Sequence, residues 1–271
     1  MQSKQYLKSV VIFLVIISGF ALAFPLDAFG QTNAIYSFVT KWGSLGEGDG
    51  QFDGQNDVDF YNGSVYVADY ANHRVQIFDP NGNFITKFGE GGEGDGQFHK
   101  ASALIIDSEG NIYVADQFNF RIQKFTNDGK FITKWGSEGE GDGQLSKPES
   151  SIVDSNGNVY IADYGNHRIQ KFTNDGKFIT KWGSKGTSDG QFQGPSGLSI
   201  DANDNIYVTD KNNDRIQVFT SYGQFITRFG ETGEGDGQFN KPEGVGVDKE
   251  TGTVYVADTG NNRIQVFKSQ Q

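Results

Sequence analysis

The stretch GEGDGQF at residues 92–98 recurs along the chain and decides the fold. Equivalent stretches end at Phe52, Phe98, Leu145, Phe192 and Phe239. Between successive copies lies a second pattern, Y-[VI]-[AT]-D-x-x-N-x-R-[IV]-Q-x-F. Its aspartates, Asp69, Asp116, Asp163, Asp210 and Asp258, are 47, 47, 47 and 48 residues apart. This regularity indicates five copies of one structural unit.

Each unit predicts four short antiparallel strands. Residues 101–135 contain the apolar runs ASALIID, IYVAD, RIQKF and KFITKW, with turn residues between them. Asn-Gly and Asp-Gly pairs supply residues that tolerate positive φ, which tight hairpins require. These pairs lie at residues 62–63, 81–82, 128–129 and 175–176.

A four-stranded unit of this length is typical of a propeller blade, because a single such sheet leaves apolar faces that only neighbouring sheets can cover. The repeats begin with an outer-strand pattern, FVTKWG at 38–43, and end at RIQVF at 263–267, where an outer strand is missing. We therefore expect an all-β propeller of five four-stranded antiparallel blades, with the N-terminal strand completing the last blade.

The combination of repeated motifs resembles the NHL-repeat family of β-propellers over residues 35–271. The motifs are GDGQF, P-x-G at 195–197 and 242–244, N-[IV]-Y-[VI]-[AT]-D and N-x-R-I-Q-x-F. Members of that family usually have six blades. The resemblance therefore keeps a six-bladed or incomplete ring open as an alternative.

The N-terminal segment predicts export. Lys4 and Lys8 precede an apolar run at 10–24, and small residues lie near 21–23 and 28–30. We interpret residues 1–30 as a signal peptide or an N-terminal membrane anchor, and residues 31–271 as the propeller. The protein is then secreted or displayed at the cell surface, tethered through residues 10–24 if the segment is not cleaved.

The composition argues against nucleic-acid binding. The formal net charge is −11, and the chain lacks the cluster of lysine and arginine that phosphate binding requires. There is no cysteine, so an exported domain of this sequence depends on its packed core rather than on disulfides.

Residues that recur in every repeat are expected to be structural. The connector GEGDGQF is interpreted as a turn between blades, with calcium as a weakly supported alternative, since its carboxylates lack the spacing of known calcium loops. The repeated Asp and Arg, such as Asp116 and Arg121, are expected to stabilise a turn rather than to catalyse. We therefore predict no cofactor and no metal site.

Residues that differ between repeats are the candidates for a site. One set, in the loop between the second and third strands, contains Tyr70, His73, Phe118, Phe120, Tyr164 and His167. These residues either pack on their own loops or form a partner-binding face. A second set is expected around the mouth of the central channel and contains Asn56, Ser102, Glu149, Ser196 and Glu243.

We interpret the chain as an exported, non-catalytic binding or scaffold module for a protein, peptide or surface glycan. Two alternatives remain open. One is a propeller lyase or hydrolase using the channel mouth, with Glu149, Glu243 and His99 as the acid or base candidates. The other is an envelope structural protein that assembles with itself.

Overall fold

Each repeat folds into one antiparallel sheet, and the five sheets are arranged as propeller blades. The computed structural model describes residues 40–268. Successive blades contact each other through their first strands, which run along the inside of the array. The all-β class, the antiparallel blades and the number of five are confirmed.

The blades take their strands in chain order. Blade 1 contains β1 (Gln55–Tyr61), β2 (Ser64–Asp69), β3 (Arg74–Phe78) and β4 (Phe84–Phe88). Blade 2 contains β5 (Ala101–Ile106), β6 (Ile112–Asp116), β7 (Arg121–Phe125) and β8 (Phe131–Trp135). Blade 3 contains β9 (Pro148–Val153), β10 (Val159–Asp163), β11 (Arg168–Phe172) and β12 (Phe178–Trp182). Blade 4 contains β13 (Pro195–Ile200), β14 (Ile206–Asp210), β15 (Arg215–Phe219) and β16 (Phe225–Phe229). Blade 5 contains β17 (Gly244–Val247), β18 (Val254–Asp258) and β19 (Arg263–Phe267).

Blade 5 has three strands within residues 40–268, where the sequence predicts four. The predicted fourth strand, 38–43, lies partly outside the described residues, and residues 40–43 have no strand structure. Trp42 nevertheless packs on Phe78 of blade 1, with ring centroids 5.9 Å apart. Trp135 of blade 2 contacts Phe172 of blade 3 in the same way, at 6.1 Å.

Most of the core lies between blades rather than within them. One cluster joins blades 1 and 2 and includes Val75, Ile77, Leu104 and Ile112. Equivalent clusters join blades 2 and 3, blades 3 and 4, and blades 4 and 5. Apolar burial therefore holds neighbouring repeats together, as expected for a sheet that needs a partner on each face.

Turns that contain residues with positive φ connect the strands at the ends of each blade. Asn62 and Gly63 both have positive φ, at 45° and 78°, which matches the tight hairpin predicted for this pair. After the second strand of blades 2 to 5, the chain forms a short 3₁₀ turn and then one residue in the left-handed conformation. The 3₁₀ turns are Gln117–Asn119, Tyr164–Asn166, Lys211–Asn213 and Thr259–Asn261.

The predicted signal peptide or anchor, residues 1–30, lies outside the described residues. Within residues 40–268, no helix has the length and apolar character needed to cross a bilayer. Export and surface display stay predictions.

Candidate functional site

The repeated Asp and Arg connect each hairpin to its connector. Asp116 is fully buried, and its carboxylate accepts hydrogen bonds from Arg121 Nε at 2.7 Å and from the backbone N–H of His99 at 2.7 Å. The Arg121 guanidinium also donates to the backbone carbonyls of Glu93, Gly94 and Gln97. The other blades repeat the pairing between Asp and Arg. The expected structural role of this pair accounts for all of these contacts.

Three aspartates of the connectors form ion pairs. Asp49, Asp95 and Asp142 form ion pairs with lysines of the outer strands, each at 2.6 Å. Within the described chain, no group of three or more His, Asp or Glu side chains is placed to hold a metal ion. These ion pairs support the interpretation of the connector as a turn between blades. Whether the connector binds calcium stays untested.

A cavity of about 700 Å³ lies where the inner strands begin, and we call it the channel-mouth cavity. The strands are antiparallel, so the start of each inner strand pairs with the end of the second strand, for example Gln55 with Asp69. The loop after the second strand therefore lies beside the channel mouth. The two predicted sets of site residues meet in this cavity for that reason.

Three aromatic side chains line the channel-mouth cavity, namely Tyr70, Phe118 and Tyr164, and each is partly buried. The Tyr70 hydroxyl donates to Gln117 Oε1 at 2.8 Å, which links blades 1 and 2. Lys100 Nζ lies 4.6 Å from the centre of the Tyr70 ring and 5.7 Å from that of Phe118. These cation–π contacts hold the rings in place at the rim of the cavity.

Charged groups of both signs line the same cavity. Glu243 forms an ion pair with Lys211, and Glu149 and Lys147 lie nearby in the lining. Burial raises the pKa of Glu149, while the neighbouring Lys211 acts in the opposite direction. Burial also raises the pKa of Asp57 to about 6, although its carboxylate accepts the N–H of Leu104 at 3.0 Å. The lining is therefore polar and able to bind ligand groups of either charge.

The smaller polar residues of the channel mouth connect neighbouring blades. Asn56 Nδ2 donates to the carbonyl of Ser102 at 2.6 Å, and Ser102 Oγ donates to that of Pro148 at 2.9 Å. Ser196 Oγ donates to the carbonyl of Glu243 at 3.0 Å. Ser102 is buried. These three side chains already have backbone partners, whereas no hydrogen bond within residues 40–268 occupies the carboxylate of Glu149.

The remaining predicted residues lie outside the channel-mouth cavity. His73 Nδ1 accepts the N–H of Lys100 at 3.0 Å, and His167 Nδ1 accepts that of Gly194 at 3.1 Å, so each histidine links its blade to the next. Burial lowers the pKa of both. Phe120 lines a separate groove of about 420 Å³. His99 stacks on Phe118 with centroids 5.2 Å apart, and it is not among the cavity-lining residues either.

Sequence reasoning missed half of the lining residues, and the charged or amide side chains among them are Asp57, Gln117, Lys147 and Lys211. Alignment of the repeats could have identified Gln117 and Lys211, because they occupy the position of Tyr70 and Tyr164. Lys147 aligns with Lys100 and Lys241, so comparison of the repeats does not single it out as a site residue. Its place in the cavity follows only from the assembly of the blades.

Two family models match the chain. The model of the NHL repeat matches residues 151–172, 192–219 and 239–267. A model described as a 6-bladed beta-propeller matches residues 50–125. A search of curated proteins gave no significant match.

Several solved structures share the fold. Virginiamycin B lyase from Staphylococcus aureus is 18% identical with a TM-score of 0.59, and the alignment covers 80% of this chain and 71% of that one. The WD40 beta propeller domain of Doa1 is 13% identical with a TM-score of 0.58, covering 79% and 63%. A protein of unknown function from Bacteroides caccae is 13% identical with a TM-score of 0.58, covering 90% and 81%. At these identities the likeness shows the fold alone. Together with the repeat motifs and the arrangement of the blades, the matches show a β-propeller that contains NHL repeats within residues 151–267.

Proposed function

We propose that this propeller is an exported, non-catalytic binding module that holds part of a protein, peptide or surface glycan in the channel-mouth cavity. The observation that carries the proposal is the composition of that cavity. Tyr70, Phe118 and Tyr164 provide partly buried aromatic surface, while Glu149 and Lys147 provide charged groups. Concave sites with a few convergent polar groups are the usual places where proteins bind ligands.

The variation between repeats supports the same proposal. The position of Tyr70 and Tyr164 is occupied by Gln117, Lys211 and Thr259 in the other blades. A residue required by the blade would recur in each copy, as Asp116 and its equivalents do. The aromatic residues of blades 1 to 3 are therefore explained better by a ligand than by the fold.

The lyase or hydrolase alternative has less support. A histidine-to-alanine variant of virginiamycin B lyase, solved with quinupristin, is catalytically inactive. In this chain His73, His99 and His167 all lie outside the lining of the channel-mouth cavity. Glu149 and Glu243 are present there, but Glu243 is paired with Lys211. Self-assembly is the third candidate function, and the experiment described next distinguishes it from binding of another molecule.

The test is affinity capture from an envelope extract with the full chain as bait. The matched bait carries Tyr70→Ser and Tyr164→Ser, and a control carries Tyr222→Ser. Tyr222 is 78% exposed and lies in the turn before β16, at the opposite ends of the strands. Circular dichroism and thermal unfolding establish that all three proteins are folded.

We expect a molecule that is retained by the parent and the Tyr222 variant and lost from the double variant. Mass spectrometry then identifies it as a protein or a glycan. Equal retention by all three baits, or retention of nothing, would contradict binding in the cavity. Capture of the chain itself would favour the self-assembling alternative.

A further inference from the structure

Phe120 occupies a position that links adjacent blades elsewhere in the molecule. The residue after each turn that follows the second strand is left-handed: His73, Phe120, His167, Asp214 and Asn262 have φ between 51° and 56°. Three of these side chains accept a backbone N–H of the next blade. The pairs are His73 with Lys100, His167 with Gly194, and Asp214 with Lys241.

Phe120 is unable to make this contact, because its ring has no acceptor atom for the equivalent N–H, that of Lys147. It also adopts a conformation that is unfavourable for a bulky residue, whereas His, Asp and Asn tolerate it better. At the junction of blades 2 and 3 the sequence thus replaces a favourable linking residue by an unfavourable aromatic one. The needs of the fold do not explain this replacement.

The Phe120 ring borders the second cavity, which we call the outer groove. Its volume is about 420 Å³, and Phe118 and Phe120 provide its aromatic surface. Phe118 lines the channel-mouth cavity as well, so the two cavities adjoin at this residue. A chain that occupies the channel mouth can therefore continue over Phe118 into the outer groove.

The charges around the outer groove favour a cationic occupant. Lys134 is paired with Asp95 at 2.6 Å, and Arg121 is paired with Asp116 at 2.7 Å. Glu93 and Glu138 also line the groove and are exposed. Neither carboxylate has an ion-pair partner within residues 40–268. The available charge at the groove is negative, which is complementary to a lysine or arginine.

We propose that the outer groove binds a peptide segment of the partner, with an apolar side chain against Phe118 and Phe120 and a neighbouring lysine or arginine facing Glu93 and Glu138. This inference rests on the proposed function and adds the class of partner and a second contact region. Phe120 is then retained for binding at the expense of the hydrogen bond found at the other junctions.

The test uses a phage-displayed library of random linear peptides selected on the full chain. Enriched peptides are synthesised, and their affinities are measured by fluorescence polarisation for the parent, Phe120→His, and the pair Glu93→Gln and Glu138→Gln. Phe120→His installs the residue of blades 1 and 3, so it is expected to fold and to unfold at higher temperature than the parent. A reduced affinity of this variant is then not explained by misfolding.

We expect enriched peptides that carry an apolar residue beside a lysine or arginine. Phe120→His is expected to weaken their binding about tenfold, the scale of one lost aromatic contact. The glutamine variants are expected to weaken binding and to reduce its dependence on salt. The proposal is overturned by enriched peptides without a basic residue, by equal binding to Phe120→His, or by no enrichment. Peptides that respond to Tyr70→Ser with Tyr164→Ser, but not to Phe120→His, would overturn it while leaving the proposed function intact.

Discussion

The carboxylate of Asp116 is fully buried and accepts four hydrogen bonds, from the backbone N–H of His99 and from the side chains of Asn119, Arg121 and Gln123. We expect Asp116→Ala to lower the free energy of unfolding by about 3–5 kcal/mol, because the buried guanidinium of Arg121 loses its counter-charge. Urea unfolding followed by circular dichroism measures the change.

Asp258→Ala is the matched comparison for Asp116→Ala. Asp258 makes the same contact with Arg263, at 2.7 Å, but the Arg263 side chain is 29% exposed where that of Arg121 is 8% exposed. Water can therefore solvate Arg263 after the substitution, and we expect a smaller loss. Equal losses at the two positions would show that burial of the arginine does not determine the cost.

At the residue scale, recurrence between repeats identifies structural residues better than variation between repeats identifies site residues. The structural role of Asp116 and Arg121 follows from their presence in every repeat. Variation between repeats also selects His73 and His167 as site candidates, yet their Nδ1 atoms link blades. Asp57, Lys147 and Lys211 meet in one cavity only because the blades assemble around an axis. A single sequence carries little information on such distant contacts.

At the scale of the element, the connector and the residues that lead into it depend on glycines with positive φ. Gly136 has φ +100°, and a Cβ there would lie 2.8 Å from the carbonyl oxygen of Phe120 and 3.0 Å from the Cα of Arg121. Gly96 has φ +77° and no heavy atom within 4 Å of such a Cβ. The two positions therefore share a backbone requirement and differ in the space around them.

We expect Gly96→Ala to lower the free energy of unfolding by about 1–2 kcal/mol, the cost of a left-handed conformation for a residue with a Cβ. Gly136→Ala is expected to cost more, because backbone atoms of the neighbouring turn have to move as well. Denaturant unfolding of the two variants checks the order. If Gly96→Ala were the more destabilising change, the close packing of the connector on the turn at Phe120 would be contradicted.

The strands, turns and blade number followed from the sequence because each repeat supplies the same local pattern. The last blade shows that the local sequence pattern does not predict every strand correctly. Residues 38–43 read like an outer strand, but residues 40–43 have no strand structure, and β19 has no fourth strand beside it in the described part of the chain. Pairing of chain ends depends on the geometry of all five blades together, and strand propensity does not report that geometry.

At the scale of the whole molecule, one five-residue sequence occurs in two environments. Residues 215–219 and 263–267 both read RIQVF. In β15, Ile216 and Val218 are 0% and 4% exposed, and the strand pairs with β16. In β19, Ile264 and Val266 are 63% and 57% exposed. The two strands therefore have the same intrinsic strand propensity, but their side chains are buried to different extents.

We expect the backbone amides of β19 to exchange with deuterium faster than those of β15. In an array of repeats the stability of each unit depends on its neighbours, and a terminal unit with an uncovered face opens at a lower free energy. Hydrogen exchange followed by mass spectrometry on peptides that contain each RIQVF sequence measures the difference, and the identical sequence removes intrinsic exchange rates as an explanation. Equal protection would show that β19 is covered in solution, and the covering segment would then be identified by repeating the measurement on a chain that lacks residues 1–43.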